Sequence, residues 1–164
     1  MSVRSTLVRV VRSRYFISGC LIASLVVRIS WICLVVPEAI SDFEWYYQRG
    51  VDISEGMGYS VNGIPTAFWP VGYPAFLGSL FSVVGPSLLV AKLANIILYM
   101  GILYLSYFVA KTLFVSEFCG RASLAILAFY PNHIAYSSLL STEILFLFLL
   151  LLGTALLIKT SHRR

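Results

Sequence analysis

Charge is what this chain has least of. Asp, Glu, Lys and Arg make up 12% of its 164 residues, against roughly 25% in soluble domains. That scarcity excludes an ordinary soluble domain. The chain is 59% hydrophobic and reads as an integral membrane protein. Acid is rarer than base, with seven Asp and Glu against twelve Lys and Arg. The net charge of +5 does not point to nucleic acid, because the basic residues stand at the ends of apolar runs and form no stripe or face. Cysteine is scarce too. Cys20, Cys33 and Cys119 have no metal-ligand spacing and read as small packing residues. Ile17-Ser18-Gly19-Cys20 superficially matches a lipoprotein cleavage box. Arg9, Arg12 and Arg14 precede it and the apolar run follows it, the reverse of what that signal needs. The run is also too long for a cleaved signal peptide.

The apolar runs are what is abundant. Residues 15–36 form a 22-residue run. At about 1.5 Å per residue it can cross a hydrocarbon core of about 30 Å. Residues 88–110, 122–139 and 143–158 are the further candidate spans. A fifth apolar piece lies between Pro70 and Pro74 on one side and Gly85-Pro86 on the other. After Pro74 only about ten residues remain, roughly 15 Å of helix, or half a bilayer. Tyr73, Phe76, Leu77, Leu80, Phe81 and Val84 fall on one face of that helix, and Ala75, Gly78, Ser79 and Ser82 on the other. The pattern predicts a helix over 75–84 that lies in the interface or packs against other helices.

Positive charge tests the count of spans. With four spans and the N-terminus inside, Arg4, Arg9, Arg12, Arg14, Lys111, Arg121, Lys159, Arg163 and Arg164 share the cytoplasmic side. Arg49 and Lys92 stay outside, and Arg28 lies within the first span. Five spans would split the cytoplasmic group, so the positive-inside rule favours four. The expected fold is an all-α membrane protein. Its parts are a basic cytoplasmic N-terminus (1–14), spans at 15–36, 88–110, 122–139 and 143–158, an exterior loop (37–87) with its interfacial helix, and a basic cytoplasmic tail (159–164). The expected location is the inner (plasma) membrane of a bacterium, with both termini cytoplasmic.

Five of the seven acids, Glu38, Asp42, Glu44, Asp52 and Glu55, fall in the exterior stretch 37–74. Glu143 opens the fourth span and faces the same side. Asp42 and Glu44 diverge if the segment is helical. In an irregular segment both can face one cleft, where such a pair abstracts a proton or holds a divalent cation. The plainer reading is a solvated acidic loop. Arg28, inside a span, needs a partner or must snorkel; Glu143, Asp42 or a bound phosphate would serve. Lys92 either snorkels or meets a phosphate headgroup. His133 follows Pro131, which is expected to kink the third span, and reads first as a satisfied polar residue. Trp31, Trp45, Tyr46, Tyr47, Tyr59, Trp69 and Tyr73 gather near the outer boundary. They form an aromatic belt, a stacking surface for sugar rings, or both.

The order of these pieces resembles the amino-terminal part of the GT-C fold glycosyltransferases, nearest to the protein mannosyltransferase-like (family 39) and aminoarabinose transferase-like branches. The residues that carry the resemblance are Arg28, then Ser41-Asp42-Phe43-Glu44-Trp45-Tyr46, Glu55-Gly56-Met57-Gly58-Tyr59 and Pro65. Trp69-Pro70-Val71-Gly72-Tyr73-Pro74, Gly85, Lys92-Leu93-Ala94-Asn95, Tyr130-Pro131 and Ser141-Thr142-Glu143 complete the series. The resemblance implies transfer of a sugar from a polyprenyl-phosphate donor on the exterior face. It implies catalytic roles for Asp42, Glu44 and Glu143, with Asp42 as base or acceptor-organising acid. It also implies substrate contacts for Arg28, Lys92, Trp45, Tyr46, Tyr59 and Tyr73. No protein ligand set for a metal is evident, and a divalent cation is the candidate cofactor. Members of the family have many more spans, so the chain is expected to be a shortened form whose site a membrane partner completes. The competing expectation is a small, non-catalytic four-span accessory protein.

Overall fold

The computed structural model describes residues 13–35, 37 and 41–161. Residues 1–12 and 162–164 of the expected basic ends, and Glu38, lie outside the described residues. Of the described residues, 77% are helical. Helix α1 is Phe16–Leu34, α2 is Asp42–Ser54, α3 is Gly72–Val84 and α4 is Leu88–Leu113. Helix α5 is Glu117–Ala128, the short α6 is Pro131–Ala135, a 3-10 turn follows at Tyr136–Ser138, and α7 is Thr142–Ser161.

Among the described residues, three helices are long and apolar enough to cross a membrane: α1, α4 and α7. Their 19, 26 and 20 residues correspond to about 28, 39 and 30 Å of helix. A bilayer is the environment that such helices require.

The segment expected as a single span at 122–139 is not one helix. Its 12-residue α5 is only about 18 Å long, and the helix stops at Ala128. Pro131 accounts for the stop. It lacks an N–H and its ring collides with the carbonyl four residues earlier. Here it opens α6, where no intrahelical donor is needed. The segment nevertheless travels far. At one end Lys111 Nζ meets Glu117 Oε2 at 2.7 Å. At the other, Asn95 Nδ2 donates to the Leu139 carbonyl at 2.8 Å. Residues 95 to 111 of α4 span about 24 Å, and the chain from 117 to 139 returns over that distance.

Helix α1 runs alongside this returning segment and in the same direction. The Ser13 carbonyl accepts from Arg121, the Ala128 carbonyl from Arg28 and Ser138 Oγ from Trp31 Nε1. At the α4–α5 turn, Glu117 also accepts from Arg121 Nε at 2.7 Å and from the Tyr107 hydroxyl at 2.8 Å. Hydrogen bonds from Lys111, Arg121 and Tyr107, in that order, pull the Glu117 carboxyl down to about 2.

Residues 42–54, left open from sequence between a helix and an irregular segment of the exterior loop, form α2. Helix α3 begins at Gly72, three residues before the expected start. Pro74 sits inside its first turn, where the backbone N–H groups have no helical acceptor and proline costs little. The expected large face of α3 is the buried one at Tyr73, Leu77 and Phe81, and Ser79 and Ser82 are outside. Gly78 departs from that division, because it faces α2. A Cβ added at Gly78 would lie 2.5 Å from Ile53 Cγ2 and 3.2 Å from the Gly50 carbonyl oxygen. Two glycines thus let α2 and α3 cross in backbone contact.

A short antiparallel pair departs from the expected all-α architecture. Ser60–Val61 (β1) pairs with Ile64–Pro65 (β2) around Asn62-Gly63. Both turn residues have positive φ, +52° and +79°. That is the geometry for which Asn-Gly is favoured in two-residue hairpins. Arg49 holds the hairpin to α2, donating to the Ser60 carbonyl and pairing with Asp52 at 2.7 Å.

Candidate functional site at the start of helix α4

Helices α2 and α3 sit against the first turns of α4. Phe43, Tyr46, Tyr73, Leu77, Phe81, Ala91 and Leu140 form one buried cluster there. Tyr46 and Tyr73 meet edge to face with ring centroids 5.7 Å apart. The Tyr73 hydroxyl donates to Asn95 Oδ1 at 2.8 Å, and Asn95 passes the connection on to the Leu139 carbonyl. Tyr73 is 1% exposed and Asn95 0%. Burial pushes the Tyr73 phenol far up, against the opposing effect of its hydrogen bond to Asn95, so it stays neutral. This network fixes the start of α7 beside α2.

Two expected site carboxylates act on one phenol. Asp42 opens α2, and Glu143 lies in the first turn of α7. The Tyr46 hydroxyl, one turn beyond Asp42, feels both charges and approaches the Thr142 side chain. Burial raises the Tyr46 phenol. Interaction with Thr142 opposes that rise, and the charges of Asp42 and Glu143 both add to it. Asp42 also accepts from Ser41 Oγ at 3.0 Å. Each carboxylate sits where the helix dipole favours a negative charge. The arrangement can take a proton from a hydroxyl held near Tyr46.

Glu44 does not join this group. Asp42 and Glu44 lie in the first turn of a helix, not in an irregular segment, so they diverge; Glu44 is exposed. Among the described residues no group of three or more His, Cys, Asp or Glu is placed to hold a metal ion.

The aromatic candidates divide. Trp45 Nε1 donates to the Tyr59 hydroxyl at 3.2 Å, and Tyr59 donates to the Trp69 carbonyl at 2.8 Å. Phe68 and the Arg49 guanidinium both lie against Trp45. Trp45 and Tyr59 therefore spend their polar atoms on each other and on the hairpin connection. Only Tyr46 reaches the carboxylates.

The cations are deeper than expected. Lys92 is 6% exposed and has no hydrogen bond or ion pair among the described residues. Arg28 is 0% exposed, so it does not snorkel, and no described carboxylate pairs with it. Its Nη1 donates to Ser24 Oγ at 2.5 Å and to the Ala128 carbonyl at 2.9 Å. Its guanidinium carbon lies 4.2 Å over the Tyr99 ring. Tyr99 is seven residues beyond Lys92, about 10 Å along the helix, so the two cations do not share one point. Sequence reading passed over Tyr99 and the structural part of Asn95. The signal was present, because residues 92, 95 and 99 recur at helical spacing on one face of α4.

Beneath Glu143 is a cavity of about 260 Å³, walled by Tyr99, Tyr130, His133, Tyr136 and Leu147 with neighbouring residues. Comparison with protein-family models, curated proteins and solved structures yields no match. Fold and composition define the class, a helical integral membrane protein.

Proposed function

We propose that the chain is a glycosyltransferase-like protein of the GT-C type that transfers a sugar from a polyprenyl-phosphate donor on the exterior face of the membrane. The observation that supports this reading is that Asp42 of α2 and Glu143 of α7, from two distant turns, both act on the Tyr46 hydroxyl, which also approaches Thr142. In this reading α5, α6 and the 3-10 turn together make a broken third crossing, so that four crossings place both acidic turns outside. Both termini are then cytoplasmic, in the inner membrane of a bacterium, in keeping with the positive-inside rule.

The chemistry requires a base and charge stabilisation. The acceptor oxygen attacks the sugar's anomeric carbon, and the bond to the phosphate oxygen breaks. The lipid phosphate leaves with the electron pair. Asp42 receives the acceptor's proton, Glu143 and Tyr46 orient the acceptor, and Glu44 lies at the rim. Lys92 offers an unpaired positive charge toward the departing phosphate. A membrane partner has room to complete the site, since Ile144 and Ala155 are the buried residues of α7.

Donor retention tests the reading. The detergent-extracted chain, reconstituted in nanodiscs, is expected to retain a radiolabelled polyprenyl-phosphate sugar saturably and to lose it to excess unlabelled donor. A folded chain that retains none contradicts the glycosyltransferase reading and leaves the non-catalytic accessory reading.

A further inference from the structure

Four aromatic side chains line the cavity beneath Glu143. Its volume of about 260 Å³ is far larger than the ~30 Å³ that one water occupies. Tyr130, His133 and Tyr136 recur at every third residue through α6 and the 3-10 turn, the spacing that brings side chains onto one face. Tyr99 of α4, 1% exposed, closes the floor. His133 packs edge to face on Tyr99 and on Tyr130, with ring centroids 5.3 and 5.2 Å apart. Three of the four rings therefore form one continuous wall.

The charge that this cavity presents is negative. Glu143 is its one formally charged wall residue. It is exposed, and among the described residues it makes no ion pair. Arg28 is not a wall of the cavity. It stacks on Tyr99 and spends Nη1 on Ser24 and the Ala128 carbonyl. Its charge disfavours a second cation at the floor. The mouth is different, because Glu143 stands there with Tyr130 and Tyr136, which are 46% and 38% exposed. A carboxylate draws a cation by charge, and aromatic rings draw it by the negative faces of their π-systems. Glu143 and Asn132 are the only wall residues whose side chains offer a carboxylate or carbonyl oxygen. A primary ammonium has three N–H groups to satisfy and is poorly served by such walls. A quaternary ammonium has none, and rings with one carboxylate suit it.

We infer that this cavity binds a quaternary ammonium group, a trimethylammonium head carried by a small solute or by an amphiphile. Tyr130 and Tyr136 hold the methyl groups, and Glu143 balances the charge. Ile144 and Leu147, the apolar walls, receive the carbon chain of the same molecule. The inference needs neither Asp42 nor Tyr46, and it shares only Glu143 with the glycosyltransferase reading.

The test is calorimetric titration of the full chain in dodecyl maltoside at low salt and pH 8. An ordinary imidazole, of pKa about 6.5, is neutral there, and screening is weak. The probes are choline, decyltrimethylammonium, ethanolamine and 3,3-dimethylbutanol, the last a neutral copy of choline with carbon in place of nitrogen. Choline is expected to bind saturably, about tenfold or more tighter than ethanolamine or 3,3-dimethylbutanol. Decyltrimethylammonium binding tighter than choline assigns the site to an amphiphile, and equal affinity assigns it to a small solute. Glu143→Gln should weaken choline binding about tenfold or more. Tyr130→Leu should weaken it roughly two- to thirtyfold, whereas Tyr130→Phe, which keeps the ring, should not. Both positions are exposed, so the variants are expected to fold, and their melting temperatures check this. A folded parent chain that binds neither quaternary probe overturns the proposal. So does ethanolamine or 3,3-dimethylbutanol binding as tightly as choline, or choline binding that survives both Glu143→Gln and Tyr130→Leu unchanged. Failure here leaves donor retention untouched, because that assay follows a different ligand.

Discussion

Asp42→Asn is expected to lower sugar transfer by about 10²- to 10⁴-fold, the range that a positioned general base contributes. Membrane insertion and melting temperature should not change. The expectation follows from the position of Asp42. It opens α2 beside Tyr46, and its side chain accepts one bond, from the neighbouring Ser41 hydroxyl. An amide keeps that bond and the shape while removing the basic oxygen. Donor retention should survive as well, because the proton acceptor is not needed to hold the donor. Glu143→Gln should lower transfer less, since in this account it orients and does not accept the proton. The check is transfer measured in membranes that contain each variant at equal abundance. Unchanged transfer by Asp42→Asn would remove Asp42 from the mechanism.

Gly78→Val is expected to damage the same site from a distance. The Cβ alone would lie 2.5 Å from Ile53 Cγ2 and 2.7 Å from Ile53 Cβ. The second of these is fixed to the α2 backbone, so no rotamer change relieves the contact. Helices α2 and α3 must separate. Overpacking of this kind costs typically about 1–3 kcal/mol, and a branched side chain adds to the strain. The separation also carries Asp42 and Tyr46 away from Glu143. Both a lower melting temperature and a loss of transfer are therefore expected. Gly153→Ala is the control, because a Cβ there meets nothing within 4 Å. A Gly78→Val protein as stable as the parent would show that the close crossing is not needed.

The sequence revealed what depends on composition and hid what depends on packing. Helices α1, α4 and α7 were legible as long apolar runs, and Gly85-Pro86 correctly marked the break before α4. The third segment was read as one span because apolar residues stand on both sides of Pro131-Asn132-His133. Pro131, taken for a kink, ends the helix. Helix α2 was left open and not placed, because Gly50 and the charges of 42–54 suit a loop as well as a helix. Asp42 and Glu44 in a first turn, where acids suit the helix dipole, were the overlooked sign. Asn62-Gly63 was an equally readable hairpin signal. The Asp42–Tyr46–Glu143 group was half legible. Charge counting set both acids on one face, but their meeting depends on Tyr73 and Asn95 reaching the Leu139 carbonyl. Nothing in the pattern of residues told that Arg28 would lie on an aromatic ring and not beside a carboxylate.

Sided labelling tests most directly the claim that both acidic turns face one compartment and build one site. Single cysteines are placed at Glu44→Cys, Glu143→Cys and Val115→Cys in a chain whose Cys20, Cys33 and Cys119 are replaced by alanine. Val115 is exposed in the α4–α5 turn. In intact cells a membrane-impermeant maleimide should modify positions 44 and 143, and should reach position 115 only after permeabilisation. Labelling of 143 together with 115, on the side opposite to 44, would contradict the account.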